Sequence, residues 1–320
     1  MSHYHFVGID VAKDKFDVAI AANGRYTHLI FSNCSKGHKE FQEWLTAQTI
    51  QPWVCMEATG HYSVAIADYL VDNAVRVSVV NPYQVKHFAR ASLVRNKNDI
   101  IDAKILAQFV EHMEPLLYQK TPAEQKEIKE LTKLLDMLKA QLIQLNNQLH
   151  STQGISARKA LAKLVEHLEK EIAKIEKNIA ELVVTNNAIH EQFKLLISIK
   201  GIGKLTAFRI IALMPHVSAF ATAKQFAAYI GITPKQNQSG TFAGRTTISR
   251  LGDSRLRKSP YMAALVAKNY NKALAQFVAR LQQKGKKPKS IICAVMRKLA
   301  HIIFGVLKSK QPFDEHFACV

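Results

Sequence analysis

Cysteine is scarce and badly spaced for chemistry. The four in this chain, Cys34, Cys55, Cys293 and Cys319, lie far apart and form no CxxC pair, which argues against a zinc ribbon and a disulfide framework. A reducing compartment fits. Apolar runs are short, none approaching the roughly 18 residues a membrane span needs, and the opening MSHYHFVGIDVAKDK has no basic stretch leading into an apolar one. The expectation is a soluble, unexported, cytoplasmic protein with no membrane partner.

Acidic residues are missing from one end. From Lys200 to Val320 there are 21 Lys plus Arg against three acids, Asp253, Asp314 and Glu315, a balance of +18, whereas the first 199 residues set 23 basic against 22 acidic. The net charge of +19 therefore belongs to the C-terminal region. So lopsided a region repels itself unless a polyanion covers it, which makes nucleic acid the leading partner. An anionic membrane surface is disfavoured, because no single amphipathic helix carries the basic residues.

At 320 residues the chain can bury a substantial core and hold two or three domains. Residues 1–118 alternate strand and helix signals. HFVGID, KFDVAI and THLIFS read as three strands joined by short turns, Ser35 is placed to cap a helix through KGHKEFQEWLTAQ, and WVCME, a helix from His61 to Asn73, RVSVVN and a helix opened by Pro82 follow. That order predicts a mixed α/β sheet. Residues 119–190 carry Leu131, Leu135, Leu138, Leu142, Leu145 and Leu149, then Leu161, Leu164, Leu168, Ile172, Ile175, Ile179 and Leu182, a near-heptad stripe on each side of Gly154. This predicts a helical hairpin or coiled coil. Residues 191–320 read as helical and basic. Within them LLISIKGIGKLTAFRIIAL pairs two helices through Gly201 and Gly203, flanked by Lys200 and Lys204, a pattern suited to a phosphate backbone or to a plain glycine-rich connection. Lys284, Lys286 and Lys287 stand in a basic loop, QQKGKKPKS.

In SLVRNKNDIIDAKILA, Asp99 and Asp102 are three residues apart at a predicted helix start. They are close neighbours on one face and repel. One reading makes both helix-start acids favoured by the macrodipole; the other sets a cation between them and needs further oxygen ligands. Asp10 ends HFVGID and Glu57 ends WVCME, and carboxylates at strand ends of an open sheet face the crevice where ligands bind. Four such acids suit a two-metal site for phosphodiester chemistry, with Mg²⁺ the natural choice for oxygen ligands. Asp14 and Asp17 are expected to be surface or turn acids.

GIDVAKDKFDV, MEATGHY, NPYQVKHFARASLVRNKNDIIDAKILA, ISIKGIGKLTA, FAAYIGITPKQNQSG and LRKSPYMAALVA together resemble the IS-one-ten, or DEDD, insertion-sequence transposases, relatives of the Piv DNA invertase. The resemblance covers nearly the whole chain in order. It implies an N-terminal RuvC-like domain of RNase H type over 1–118, a central helical hairpin or coiled coil over 119–190, and a C-terminal helical transposase domain over 191–320. It implies a D-E-D-D tetrad at Asp10, Glu57, Asp99 and Asp102, and a nucleophilic serine at Ser239 that forms a phosphoserine link to DNA. Arg245, Arg250, Arg255 and Arg257 follow closely and suit the phosphate under attack. The implied partners are donor and target DNA, a non-coding bridge RNA that guides their choice, and further copies of the chain, dimers assembling to a tetramer.

Without the resemblance Ser239 reads as ordinary turn chemistry. Two other functions compete with an RNA-guided recombinase. One is a metal-only nuclease of the Holliday-junction-resolvase kind, in which water attacks and Ser239 is structural. The other is a nucleic-acid scaffold with vestigial acids, which the intact tetrad argues against.

Overall fold

The computed structural model describes residues 4–314, apart from 23–24, 49, 215–216, 245, 250 and 253 and the side chains of 22, 25, 243, 254 and 255. The chain divides into two compact units, Met1–Lys120 and Thr121–Val320.

The first unit is one five-stranded sheet with helices on both faces. Its elements are β1 (Tyr4–Val11), β2 (Lys15–Ala22), β3 (Arg25–Ser32), α1 (Ser35–Ala47), β4 (Gln51–Glu57), α2 (His61–Asp72), β5 (Arg76–Val80), α3 (Pro82–Ala91) and α4 (Asp99–Met113). The strand order is β3-β2-β1-β4-β5. The first three strands form an antiparallel meander, whereas β4 and β5 run parallel to β1. The mixed α/β expectation therefore holds. Two caps differ in detail. Ser35 is the first residue of α1, behind Cys34 at the cap position, while Asn81 caps α3 by accepting from the Tyr83 amide at 2.9 Å.

Side-chain alternation sorts this sheet into two faces. Val7, Ile9, Phe16, Val18, Val54 and Met56 pack with Phe41 and Leu45 of α1 and Ile66 and Leu70 of α2. Trp53, Cys55 and Val80 turn the other way, onto Val85 of α3 and Ile105, Leu106, Phe109 and Val110 of α4. Gly8 and Asp10 of β1 share that second face by the same period of two. Gly8 is there because nothing larger fits: a Cβ would stand 1.9 Å from the Ala103 carbonyl oxygen and 2.4 Å from the Ala107 amide nitrogen. The helix backbone thus lies directly on the strand. Gly8→Ala is expected to push α4 away and cost about 1–3 kcal/mol of stability, read as a lower urea midpoint, with cleavage lost as Asp99 and Asp102 move off. An unchanged midpoint would show that α4 does not need this approach.

The second unit is helical. Its helices are α5 (Ala123–Ser151), α6 (Ile155–Thr185), α7 (Asn187–Ile197), α8 (Lys204–Leu213), α9 (Ala223–Ile230), α10 (Ser254–Tyr270), α11 (Lys272–Gln283) and α12 (Pro288–Ser309). Between α9 and α10 lie two small antiparallel ribbons, β6 (Pro234–Lys235) with β9 (Thr247–Ile248) and β7 (Gln238–Ser239) with β8 (Phe242–Ala243).

Helices α5 and α6 form the hairpin that the leucine stripe predicts, with Gly154 at the N-cap of α6. Its base is sealed: Ile128 and Leu135 on α5, and Ile172, Ile175, Ile179 and Val183 on α6, are buried and belong to the same core as α7 to α12. Towards its tip Leu145, Leu149 and Leu161 are half-buried and Leu164 is 51% exposed. Helix α12 is long and apolar enough to cross a membrane, with mean hydropathy 1.8, more apolar than the sequence reading allowed. Ten of its residues, Val295, Leu299 and Ile303 among them, are buried in this core, so much of its apolar surface is already covered by protein.

Candidate active site

Three elements bring the acidic residues to one end of the sheet's strands. Ile9 of β1 pairs with Met56 of β4 in parallel register, so Asp10 and Glu57, one step further on, come level at the strand ends. Both alternate onto the α4 face. The start of α4 is set by Asn98, whose side chain accepts from the Ile101 amide at 2.8 Å. That cap puts Asp99 and Asp102 in the first turn, where carboxylates suit the positive end of the helix dipole. The contact of α4 with β1 at Gly8 carries that turn towards Asp10.

The shared field shows in the acidities. Asp10 is raised from the ordinary 3.8 to about 6, first by burial and then by the charges of Asp102, Asp99, Glu57 and Asp17. Glu57 is raised by burial and by Asp102, against the opposing charge of Lys97. Burial likewise raises Asp102, with Lys97 opposing and Asp99 adding to the rise. Asp99 goes the other way, because Lys15 donates to its Oδ2 at 2.7 Å and favours the ionised form. Asp10, Glu57 and Asp102 are thus partly buried carboxylates that feel one another's charge, with Asp99 exposed beside them, the situation a divalent cation relieves. Among the described residues no three His, Cys, Asp or Glu side chains already converge on one ligating point.

Asp17 corrects the sequence reading. It is 2% exposed, pairs with Asp10 across β1 and β2, and is held by Lys15 at 2.8 Å and the His28 Nε2 at 2.8 Å. It is neither a surface nor a turn acid. Its place could have been read from the strand period, since Lys15 and Asp17 of KFDVAI alternate with the apolar Phe16 and Val18.

Ser239 lies in the second unit, exposed on the inner ribbon and paired with Phe242 around Gly240. Gly240 has φ +55°, a conformation that suits glycine, and Phe242 beside it is 59% exposed. Of the expected phosphate ligands, Arg245 and Arg250 lie outside the described residues, as does the side chain of Arg255. Arg257 is half-buried and donates to the Ile230 carbonyl at 3.4 Å. Lys200 and Lys204 are exposed at the turn between α7 and α8, and Lys284, Lys286 and Lys287 are exposed between α11 and α12. Gly203, at the N-cap of α8, faces open space. Gly201 faces the opposite requirement, with φ +105° and a Cβ that would stand 2.5 Å from that of Ala267.

The raised Asp10 gives a signed pH prediction. A carboxyl whose folded pKa exceeds its unfolded value holds its proton more tightly in the native state. Its stabilising contribution is present at low pH and is lost as pH rises through about 6. A divalent cation should therefore raise the melting temperature by a few degrees at pH 7.5 and hardly at all at pH 5. Equal shifts at both pH values in thermal melts would separate metal binding from this cluster.

The sequence has counterparts among known proteins. A DEDD family model described as a transposase matches residues 7–152, and a model described as the IS116/IS110/IS902 transposase family matches residues 193–279. The pilin gene-inverting protein of Moraxella bovis is 30% identical over 315 residues, covering 97% of this chain and 98% of that protein. The corresponding protein of Moraxella lacunata is equally similar over the same shares. The transposase for insertion sequence element IS1328 of Yersinia enterocolitica is 24% identical over 351 residues, 98% of this chain and all of that one.

Proposed function

The chain belongs to the IS110 family of transposases, enzymes that cut and recombine DNA, and on that premise we propose that it exchanges DNA strands through the joint action of Asp10, Glu57, Asp99 and Asp102 with Ser239. The observation that carries this reading is the gathering of the four acids where the ends of β1 and β4 meet the start of α4, close enough that, after burial, the charges of Asp102, Asp99 and Glu57 help lift Asp10 to about 6. An all-carboxylate donor set of this kind fits Mg²⁺. When bound, Mg²⁺ supplies charge neutralisation at the scissile phosphate. The strand order β3-β2-β1-β4-β5 supports a RuvC-like, RNase H-type identity for the first unit.

Ser239 suits a nucleophile because it is exposed on a ribbon next to a glycine turn, open to a large substrate. In the proposed step its Oγ forms a bond to phosphorus while the bond from phosphorus to the leaving strand's oxygen breaks. The hydroxyl proton goes to a base and the leaving oxygen takes one up. The phosphodiester bond energy is conserved in the seryl ester, so the reverse attack by another strand end reseals DNA without an added energy source. The excess of basic residues beyond Lys200 supports broad contact with donor and target DNA, Lys200, Lys204, Lys284, Lys286 and Lys287 included. The guide RNA rests on the family resemblance and on the same charge. Cleavage of a DNA substrate carrying the element ends, with the flanking non-coding RNA added, tests the whole. It should need Mg²⁺, stop with EDTA and weaken steeply with salt; EDTA-resistant cleavage would exclude the acidic site.

Assembly belongs to the same reading, with dimers pairing to tetramers. Its support is the hairpin tip, where the leucine stripe continues past the sealed base without full cover. Replacing Leu145 and Leu164 by Glu is expected to reduce the mass seen by light scattering to that of a smaller assembly while far-UV helicity stays. An unchanged mass would take the oligomeric role from the tip.

A further inference from the structure

A groove of about 1110 Å³ lies within the second unit, walled by α5, α8, α10 and α12. It is larger than the roughly 300–1,000 Å³ of ordinary small-molecule clefts, and its lining has two characters. Lys133 of α5, Lys258 of α10 and Lys289 of α12 line it as exposed rim residues, and Lys139, Lys268, Arg209 and Arg257 line it half-buried. Among the described residues its lining holds a single acid, Asp136, and that carboxylate is engaged by the Arg209 guanidinium. Lys139 meets Glu176 at 2.6 Å. The surplus of positive charge around the groove calls for an anion that runs its length.

The apolar side of the groove narrows the choice. Tyr261 is 47% exposed, Met262 56% and Ile143 64%, and all three line it. Large side chains left open to water inside a basic groove match a polyanion that carries flat apolar faces. Duplex DNA offers phosphates but keeps its base faces stacked inside. An unpaired strand offers both, and aromatic side chains in a basic groove are the usual platform for its bases.

We propose that this groove binds single-stranded DNA, with the phosphates along the lysine rim and a base stacked on Tyr261. The proposal rests on the reading of the chain as a DNA recombinase, since strand cleavage is what releases unpaired DNA. Apart from Arg257, none of the groove residues is among the nucleic-acid contacts expected from the sequence. Lys133, Lys139 and Ile143 sit in the hairpin, Lys289 and Cys293 in the core helix α12, and only folding sets them across from Tyr261.

The test uses the full-length protein in EDTA and a fluorescein-labelled dT 20-mer, read by anisotropy. Binding is expected, with Tyr261→Ala weakening it about 5- to 100-fold and Lys258→Glu with Lys289→Glu weakening it further and flattening its salt dependence. The native thiol of Cys293, half-exposed and lining the groove, gives an independent footprint. The dT oligomer should slow its alkylation by N-ethylmaleimide, located by peptide mass spectrometry. The proposal is overturned if dT binds with undiminished affinity to both variants, if bound dT leaves Cys293 alkylation unchanged, or if the protein has no affinity for dT at low salt. It is equally overturned if rU 20-mer or duplex protects Cys293 better than dT does, since the occupant would then be RNA or paired DNA. Neither metal nor cleavage enters the readout, so a chain that cuts no DNA still decides the groove, and failure of the groove leaves the acidic site untouched.

Discussion

Ser239→Ala should abolish recombination, by on the order of 10⁴-fold or more, while DNA remains bound. The size of the effect follows from the role. A nucleophile that forms the covalent link has no substitute, whereas a residue that only shapes a turn costs a few tenths of a kcal/mol. The ribbon gives this substitution little structural consequence: Ser239 is exposed, and its place in the pairing with Phe242 is made by backbone. Protein-linked DNA should appear on denaturing gels with the wild-type chain and a suicide substrate, and disappear with the variant. Cleavage that survives Ser239→Ala without a covalent product would assign the attack to water. The chain would then work as a metal-only nuclease in which the serine is structural.

Asp10→Asn is expected to reduce strand cleavage by about 10³-fold or more, the several kcal/mol that a metal centre contributes to a developing phosphate charge. Loss of activity from unfolding can be told apart by sign. In the metal-free protein the ionised Asp10 is disfavoured by burial and by Asp102, Asp99, Glu57 and Asp17. Asparagine removes that charge and nearly keeps the shape. The variant should therefore be as stable as the wild type at pH 7.5, or more so, and inactive. Such a pairing marks a functional site kept at a cost to stability. An Asp10→Asn chain that melts several degrees lower would mean that the carboxylate holds the fold instead.

The strands of the first unit were legible because two periods agree there. Val7 and Ile9, Phe16 and Val18, and Val54 and Met56 alternate with residues of the opposite face, and short turns punctuate them. The acidic positions Asp10 and Glu57 were legible for the same reason, as strand-end carboxylates. What single-residue patterns could not show is the approach at Gly8. Its cause is the backbone of α4 at Ala103 and Ala107, about a hundred residues away, and only the tertiary packing names that partner. Asp17 was misread because it sits close to Asp14 in a charged stretch, where composition suggests solvent. The strand period and the ion pairs with Lys15 and His28 place it inside.

The second unit was legible in its hairpin and much less so beyond. The leucine stripe gives a helical pair, but whether its apolar face is covered depends on what stands opposite. At Ile128 and Leu135 the cover comes from the core shared with α7 to α12. At Leu164 it does not. Ser239 gave no signal through its own chemistry, since an exposed serine beside a glycine is common in turns. It stood out only through the resemblance of the surrounding QSG segment.

The central claim is that Asp10, Glu57, Asp99 and Asp102 hold a divalent cation. Mn²⁺ stands in for Mg²⁺ at oxygen sites, and electron paramagnetic resonance reads its free concentration directly. Titrating full-length wild type, Asp10→Asn and Asp102→Asn at pH 7.5 should show saturable binding that Mg²⁺ competes away in the wild type, weakened at least about tenfold in each variant. The wild-type affinity should also fall as pH drops below about 6, where Asp10 takes up its proton. If the three proteins bind Mn²⁺ alike, the four acids are not the metal site and the account of the active centre is wrong.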